Sequence, residues 1–204
     1  MRIIKRLGFS LLVLVFLSSA LNVALLAQEK PQSEEEQKMM KLWQEYATPG
    51  DNHKFLEYFA GTWETHSTMW MSAGDKPMVS KGETKAKMIF GGRYLKAHYK
   101  GLMMGMPFEG LSLSGYDNFL KKFQTIWFDN AGTGFYKTSG TLDKTKKIKI
   151  ETGLFDDFMS GGKSKVRWVT TIIDDNKYKF EMYAQDYKTG KEYKNGEIIY
   201  TRKK

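Results

Sequence analysis

From Trp63 to the end of the chain, apolar and polar residues alternate in runs of about ten residues, and turn signals separate the runs. Three runs alternate most regularly, and in each run one set of alternate, mostly apolar members is expected to face the core. These members are Ile148, Ile150, Thr152 and Leu154; Val166, Trp168, Thr170 and Ile172; and Tyr178, Phe180, Met182 and Ala184. Lys, Arg and Glu lie between many of them, so the opposite face of each strand is expected to contact water.

The turn signals are short sequences rich in Gly, Asp and Asn, such as residues 91–92, 117–118 and 189–190. They divide the chain into about ten strands joined as hairpins. An open sheet of this size would leave two unpaired edges, and closure removes them. The predicted fold is all-β: a single antiparallel up-and-down barrel.

Two short helical segments are predicted before the first strand. Ser33 and Glu36 form a capping box, which starts a helix. A second helical turn contains Phe55, Tyr58 and Phe59 and runs directly into the first strand. We expect these turns to close one end of the barrel.

The first 27 residues have the pattern of a secretory signal peptide. A basic head, residues 1–6, precedes an apolar run, residues 7–17, and then small residues. Cleavage after Ala20 or after Ala27 fits this pattern, and an uncleaved anchor is the alternative. The predicted organisation is a signal peptide at 1–27, a leader with a short helix at 28–52, and a barrel domain at 53–204. Localisation is expected in a bacterial periplasm or outside the cell.

The charge and the cysteine count narrow the partners. The formal net charge is +9, and three of the cations lie in the predicted signal peptide. The other lysines are scattered along strands, as on a solvated outer face, so no nucleic acid is expected as a partner. With no cysteine, the chain forms no disulfide, no thiolate site and no lipidated-cysteine anchor. After signal cleavage, we expect no stable membrane insertion.

Several motifs resemble those of a known family. Gly61 and Trp63 resemble the Gly-x-Trp signature of lipocalin-like (calycin) barrels, and Arg202 lies where those barrels place a basic residue over the tryptophan. A longer set of motifs, at residues 91–95, 103–110, 115–118, 127–134 and 180–183, resembles the bacterial family called domain of unknown function 1579. The resemblance covers about residues 53–202. It implies a lipocalin-like fold, with Gly61, Trp63 and Arg202 as a structural signature, and it implies no catalytic residues.

No catalytic, metal or cofactor site is predicted. The histidines His53, His66 and His98 lack the spacing of metal ligands, and His66 and His98 are expected to point outward. A haem barrel would need one of the histidines inside as an axial ligand. Glu109 and Asp117 are the acids that an enzyme would use if they faced the lumen, and alternation leaves the orientation of Glu109 open.

The residues predicted to face the lumen are mostly apolar. Those expected to contact a ligand are Met88, Phe90, Tyr99, Trp168, Phe180 and Met182. By the same alternation, Leu95, Ala97 and Ile150 are also expected to point inward. A lumen of this kind fits a small apolar or amphipathic molecule and excludes an ionic one. The alternatives are an enzyme that uses the same cavity and a filled barrel with a structural or protein-interaction role. The sequence leaves the oligomeric state open.

Overall fold

The structure, a computed structural model, describes residues 33–157, 161–186 and 189–204. The predicted signal peptide, residues 1–27, and the first part of the predicted leader lie outside the described residues. The chain divides into two units, residues 1–44 and 45–204, and every described strand belongs to the second.

Two helices precede the strands. The helices are α1 (Glu34–Ala47) and α2 (Asp51–Glu57); the strands are β1 (Gly61–Met69), β2 (Met78–Ile89), β3 (Tyr94–Met103), β4 (Met106–Asp117), β5 (Lys122–Asp129), β6 (Tyr136–Leu142), β7 (Ile148–Asp157), β8 (Gly162–Asp174), β9 (Lys177–Gln185) and β10 (Glu192–Arg202).

In the described part of the chain, ten antiparallel strands close into a barrel in which each strand pairs with its neighbours in sequence. The last strand pairs with the first, and in that pair Trp63 is opposite Arg202 and Met69 is opposite Gly196. Closure gives both outer strands a partner, which is why a meander of this length does not remain open. The predicted fold class is confirmed.

The capping box predicted for the first helix is present in α1. The backbone N–H of Glu36 donates to Ser33 Oγ at 3.2 Å, and the backbone N–H of Ser33 donates to Glu36 Oε2 at 2.7 Å. These two bonds satisfy amides that have no partner inside the helix. Among the described residues, neither helix has the length and apolarity needed to cross a bilayer.

The second helix closes one end of the barrel. Leu56 of α2 and Phe59, which follows it, pack with Trp63, Phe123 and Tyr178 in a buried cluster. Burial of aromatic and aliphatic groups of this size is the main stabilising contribution at this end. We call this the closed end; since β1 starts here, the opposite end, where β1 passes into β2, is the open end.

The structural signature meets at the closed end. The guanidinium carbon of Arg202 lies 4.1 Å from the centre of the Trp63 ring, and Trp63 is fully buried. Arg202 also donates to the carbonyl oxygens of Ala60 at 2.8 Å and Tyr58 at 2.7 Å. Arg202 of the last strand is therefore hydrogen-bonded to the segment that precedes the first strand.

The alternation of β8 and β9 is as predicted, but that of β7 is inverted. Trp168 and Met182 face inward as cross-strand partners, and the inward partner of Trp168 on β7 is Glu151. Ile150 is 41 % exposed on the outside, while Lys149 and Glu151 are buried. The prediction that Ile150 faces the core is therefore wrong. Cross-strand partners share a face, so the register with β8 decides which residues of β7 point inward.

Candidate functional site in the barrel lumen

A buried ion pair lies inside the barrel. Lys149 Nζ is 2.7 Å from Glu151 Oε2, and the two side chains are 7 % and 2 % exposed. Positions two apart on a strand share a face, which is why both side chains enter the lumen. Because an unpaired charge inside a protein is costly, each of these groups depends on the other.

The ion pair continues into a hydrogen-bonded chain across β5 and β4. The Thr125 hydroxyl donates to Glu151 Oε1 at 2.8 Å, and the Thr125 and Ser114 oxygens are 2.9 Å apart. The proton of Thr125 is used on Glu151, so Ser114 is the donor in the second bond. Both carboxylate oxygens of Glu151 therefore have partners within the wall.

A second set of polar groups has no partners. Within the described residues, the buried hydroxyl oxygens of Thr65, Ser67, Thr84 and Thr138 accept and donate no hydrogen bond. The first three lie on the adjacent strands β1 and β2, where Ser67 follows Thr65 on the same face. Leaving a buried hydroxyl unpaired costs about 1–3 kcal/mol. A cluster of such groups on one wall is what a polar ligand group would satisfy.

Two tyrosines flank these hydroxyls. Tyr99 is the cross-strand partner of Thr84, and Tyr200 is the partner of Thr65. Burial is the main cause that raises the pKa of Tyr200, and Tyr99 adds to the shift. Tyr200 also stacks on Tyr178, with ring centres 4.1 Å apart. The Tyr200 phenol therefore keeps its proton and can donate a hydrogen bond.

Aromatic rings cover most of the remaining wall. Neighbouring ring centres lie 5.0 to 6.4 Å apart, with Phe155 and Trp168 both next to Tyr136, and Trp127 is the cross-strand partner of Tyr136. We call this the aromatic arc: Tyr99, Phe108, Trp127, Tyr136, Phe155, Trp168 and Phe180. Rings at such spacings form an apolar surface suited to a flat or aliphatic group.

Glycines let two of these rings lie along the wall. A Cβ on Gly101 would be 2.3 Å from the Tyr99 hydroxyl oxygen, and one on Gly82 would be 2.7 Å from it. A Cβ on Gly110 would be 2.2 Å from the Trp127 ring. Because these rings lie over glycine backbone, they project less into the centre of the barrel.

The open end carries two carboxylates. Trp127 Nε1 donates to Asp129 Oδ2 at 2.6 Å, which holds the indole at the rim. Asp157 is the last residue of β7 and shares its inward parity. Burial is the main cause that raises the pKa of Tyr136, and the charges of Asp129 and Asp157 add to it. Both carboxylates therefore lie near the Tyr136 phenol.

Most of the residues predicted to face the lumen do so. Tyr99, Trp168, Phe180 and Met182 share the inward parity of buried neighbours, and Leu95 and Ala97 do as well. Met88 packs against the buried cluster at the closed end. Their contact with a ligand stays a prediction.

The inward placement predicted for Phe90 is wrong. Phe90 lies past the end of β2, has a φ of 50°, and is 73 % exposed. Gly91 and Gly92 follow it with φ values of 62° and 81°, so the chain has already left the strand for the turn. The alternation of inward and outward side chains along a strand does not continue through a turn.

The acids considered for an enzyme do not face the lumen. Glu109 lies outside, where it contacts His98 Nε2 at 2.7 Å and Lys100 Nζ at 3.1 Å. The pKa of Glu109 is lowered by the hydrogen bonds from Lys100 and His98. Asp117 caps a turn by accepting from the backbone N–H groups of Phe119 and Leu120.

The histidines do not form a metal site with one another. His66 is exposed, while His53 is buried at the closed end, where its Nδ1 accepts from the N–H of Gly50 at 3.0 Å. Burial is the main cause that lowers the pKa of His53. In the part of the chain that the structure describes, no group of three or more His, Cys, Asp or Glu residues is arranged to hold a metal ion.

The sequence predictions missed Lys149, Glu151 and the unpaired hydroxyls. The sequence of β7 contained one sign that its odd-numbered residues point inward, because the aromatic Phe155 shares a face with Glu151 and Gly153. In the structure, a Cβ on Gly153 would be 2.3 Å from the carbonyl oxygen of Lys137, so the backbones of β7 and β6 approach closely at this position. Thr65, Ser67, Thr84 and Thr138 were not assigned to the inward face, because the polarity of a hydroxyl side chain alone indicates neither face.

Three solved structures resemble the barrel. The M. tuberculosis protein Rv2717c has a TM-score of 0.54 and 9 % identity, covering 77 % of this chain and 100 % of that one. EF1p2_mFAP2b bound to DFHBI has a TM-score of 0.42, 10 % identity, and coverages of 74 % and 98 %. A redesigned β-barrel has a TM-score of 0.39, 13 % identity, and coverages of 73 % and 95 %. At 9 % identity, the likeness to Rv2717c supports the fold and nothing beyond it.

The family comparison is more specific. No curated protein matches the chain. The family described as "Protein of unknown function (DUF1579)" matches residues 48–202, which include α2 and all ten strands of the described barrel. Well over half of the sequence therefore agrees with one family pattern, and the chain belongs to the DUF1579 family.

Proposed function

We propose that this protein binds a small amphipathic molecule in the barrel lumen. The observation that carries the proposal is the group of buried, unpaired hydroxyls on β1 and β2, Thr65, Ser67 and Thr84. A bound polar group would supply the hydrogen bonds that the wall does not. The aromatic arc on the other strands would hold the apolar part of the same molecule.

The polar groups of the lumen divide by strand. On β4, β5 and β7, Ser114, Thr125 and Glu151 bond to one another. On β1, β2 and β6 the hydroxyls of Thr65, Ser67, Thr84 and Thr138 have no partner in the described wall. The first set stabilises the barrel, and the second is available to a ligand. Such a division is typical of binding sites, in which a few polar groups orient a ligand within an apolar surround.

The width of the barrel is compatible with this role. Eight strands enclose an interior that side chains just fill or that holds one small ligand, and more strands give a larger diameter. The ten strands of the described barrel and the rings lying over Gly82, Gly101 and Gly110 both widen the interior.

Titration with a hydrophobic fluorophore tests the proposal. We expect saturable binding with quenching of tryptophan fluorescence. Trp168→Ala should weaken binding about two- to tenfold, because an aromatic contact contributes about 0.5–1.5 kcal/mol. Phe128→Ala is the matched control, because Phe128 is an exposed aromatic residue on the outside of β5. Absence of saturable binding, or equal losses in both variants, would contradict the proposal.

We also propose that the chain is exported and cleaved at or before Ala27. The basic head, the apolar run and the small residues that follow support this. The intact mass of protein recovered from the envelope of the host tests it. A mass equal to the full 204 residues would rule out cleavage.

A further inference from the structure

We propose that the lumen selects ligands whose polar group is uncharged, such as an alcohol, a phenol, a ketone or an amide. This inference rests on the proposed function and specifies the chemical class of the ligand. Carboxylates and ammonium groups attached to the same apolar body are expected to bind more weakly.

The charges in the middle of the lumen cancel. Among the inward-facing residues described there, the formal charges are those of Lys149 and Glu151, which pair at 2.7 Å. Both oxygens of Glu151 have partners, and Lys149 Nζ lies 5.6 Å from the centre of the Phe123 ring. Neither charge is left over to neutralise an ion on a ligand. A ligand ion at this depth would be buried without a counter-charge, which costs far more than burying a neutral polar group.

The groups that are left unpaired are neutral. The hydroxyls of Thr65, Ser67 and Thr84 can each donate one hydrogen bond and accept others, and the protonated phenol of Tyr200 beside them can donate. A ligand hydroxyl or carbonyl matches these groups without bringing a charge into the lumen. Hydroxyl groups alone do not compensate the desolvation of a carboxylate or an ammonium ion.

Three naphthalene probes that differ only in their polar group test the inference on the full mature chain at neutral pH. They are naphthalenemethanol, naphthoate and naphthylmethylammonium, measured by calorimetry and tryptophan quenching. We expect the alcohol to bind at least about tenfold more tightly than either ion, because the ions carry the larger desolvation cost. If naphthoate or the ammonium probe binds as tightly as the alcohol, the inference is overturned while the proposed function stands. If no probe shows saturable binding, both fail.

Removal of two hydroxyls provides the second arm. Thr65→Val with Thr84→Val should reduce the preference for naphthalenemethanol about threefold or more, because each lost hydrogen bond weakens only the alcohol complex. Thr141→Val, at an exposed outward position on β6, is the matched control. An unchanged preference in the folded double variant would show that these hydroxyls do not contact the polar group, and would overturn the inference.

Discussion

Lys149 and Glu151, two residues apart on β7, point into the barrel and pair with 2.7 Å between Nζ and Oε2. Their neighbour Ile150 lies outside. The pair is held by Thr125, which also joins it to Ser114. A strand that carries charges inward and isoleucine outward depends on this network for its orientation.

Breaking the ion pair is expected to destabilise the barrel strongly. Glu151→Gln leaves Lys149 as an unpaired buried charge and should lower the free energy of unfolding by about 3–5 kcal/mol. Replacing both residues, Lys149→Met with Glu151→Leu, should cost much less, because no charge remains to be desolvated. Urea unfolding measures both. A single variant as stable as wild type would show that the pair is not buried in solution.

Two threonine substitutions are expected to separate the paired from the unpaired hydroxyls. Thr125→Val removes a partner from Glu151 and from Ser114 and should cost about 1–3 kcal/mol of stability. Thr84→Val removes a buried hydroxyl that has no partner among the described residues, and stability should be unchanged or slightly higher. The comparison uses ligand-free protein and chemical denaturation. Equal losses would argue against the division of the lumen into two sets.

The closed end is expected to depend on the stacking of Arg202 on Trp63. Trp63→Ala should cost about 3–5 kcal/mol, because a fully buried indole is replaced by a cavity. Arg202→Lys should cost about 1–3 kcal/mol, because lysine cannot both stack on the ring and bond to the carbonyls of Tyr58 and Ala60. Arg93→Lys, which affects an exposed contact in the β2–β3 turn, serves as the control. Thermal unfolding distinguishes the three variants.

Gly140 is expected to tolerate no side chain. A Cβ there would be 1.7 Å from the carbonyl oxygen of Ile150 and 2.6 Å from Cα of Glu151, so the backbone of β7 would have to move. Gly140→Ala should cost about 3 kcal/mol or more. Gly132→Ala is the matched control, because a Cβ at that position meets nothing within 4 Å. Similar stabilities for the two variants would contradict the close approach of β6 and β7.

Asp186 is expected to make the stability of the open end sensitive to acid. Its carboxylate accepts from the Ser72 hydroxyl at 2.6 Å and from the Ala73 N–H at 3.2 Å, and these bonds, with those from Thr189, lower its pKa well below the usual range. A lowered pKa in the folded state stabilises the protein above the unfolded pKa of about 4, and this contribution is lost as the pH falls below that value. Asp186→Asn should therefore reduce the loss of stability between about pH 5 and pH 2. Unfolding free energies measured across this range, with Asp75→Asn as the control in the neighbouring loop, test the effect.

Local patterns predicted much of the architecture. The turn sequences marked the hairpins, the Ser33 and Glu36 pair marked the start of α1, and the alternation of β8 and β9 indicated the correct inward residues. These features depend on residues near one another in sequence, or on strands in which only one face is apolar. Phe90 was misassigned because the strand ends one residue before it.

The sequence by itself was enough to predict a closed antiparallel barrel, because its turn spacing defines about ten hairpin-connected strands and an open sheet of them would leave two unpaired edges. The resemblance to lipocalin-like barrels predicted that Trp63 and Arg202 meet, and the register of the first and last strands places them opposite each other. Only the tertiary structure decided which face of β7 is inside. Both faces of that strand carry apolar residues, and the choice depends on the register with β8, where Trp168 is opposite Glu151. A shift of one residue would have placed Ile150 inside and the ion pair in water, so the polar character of the lumen results from cross-strand pairing.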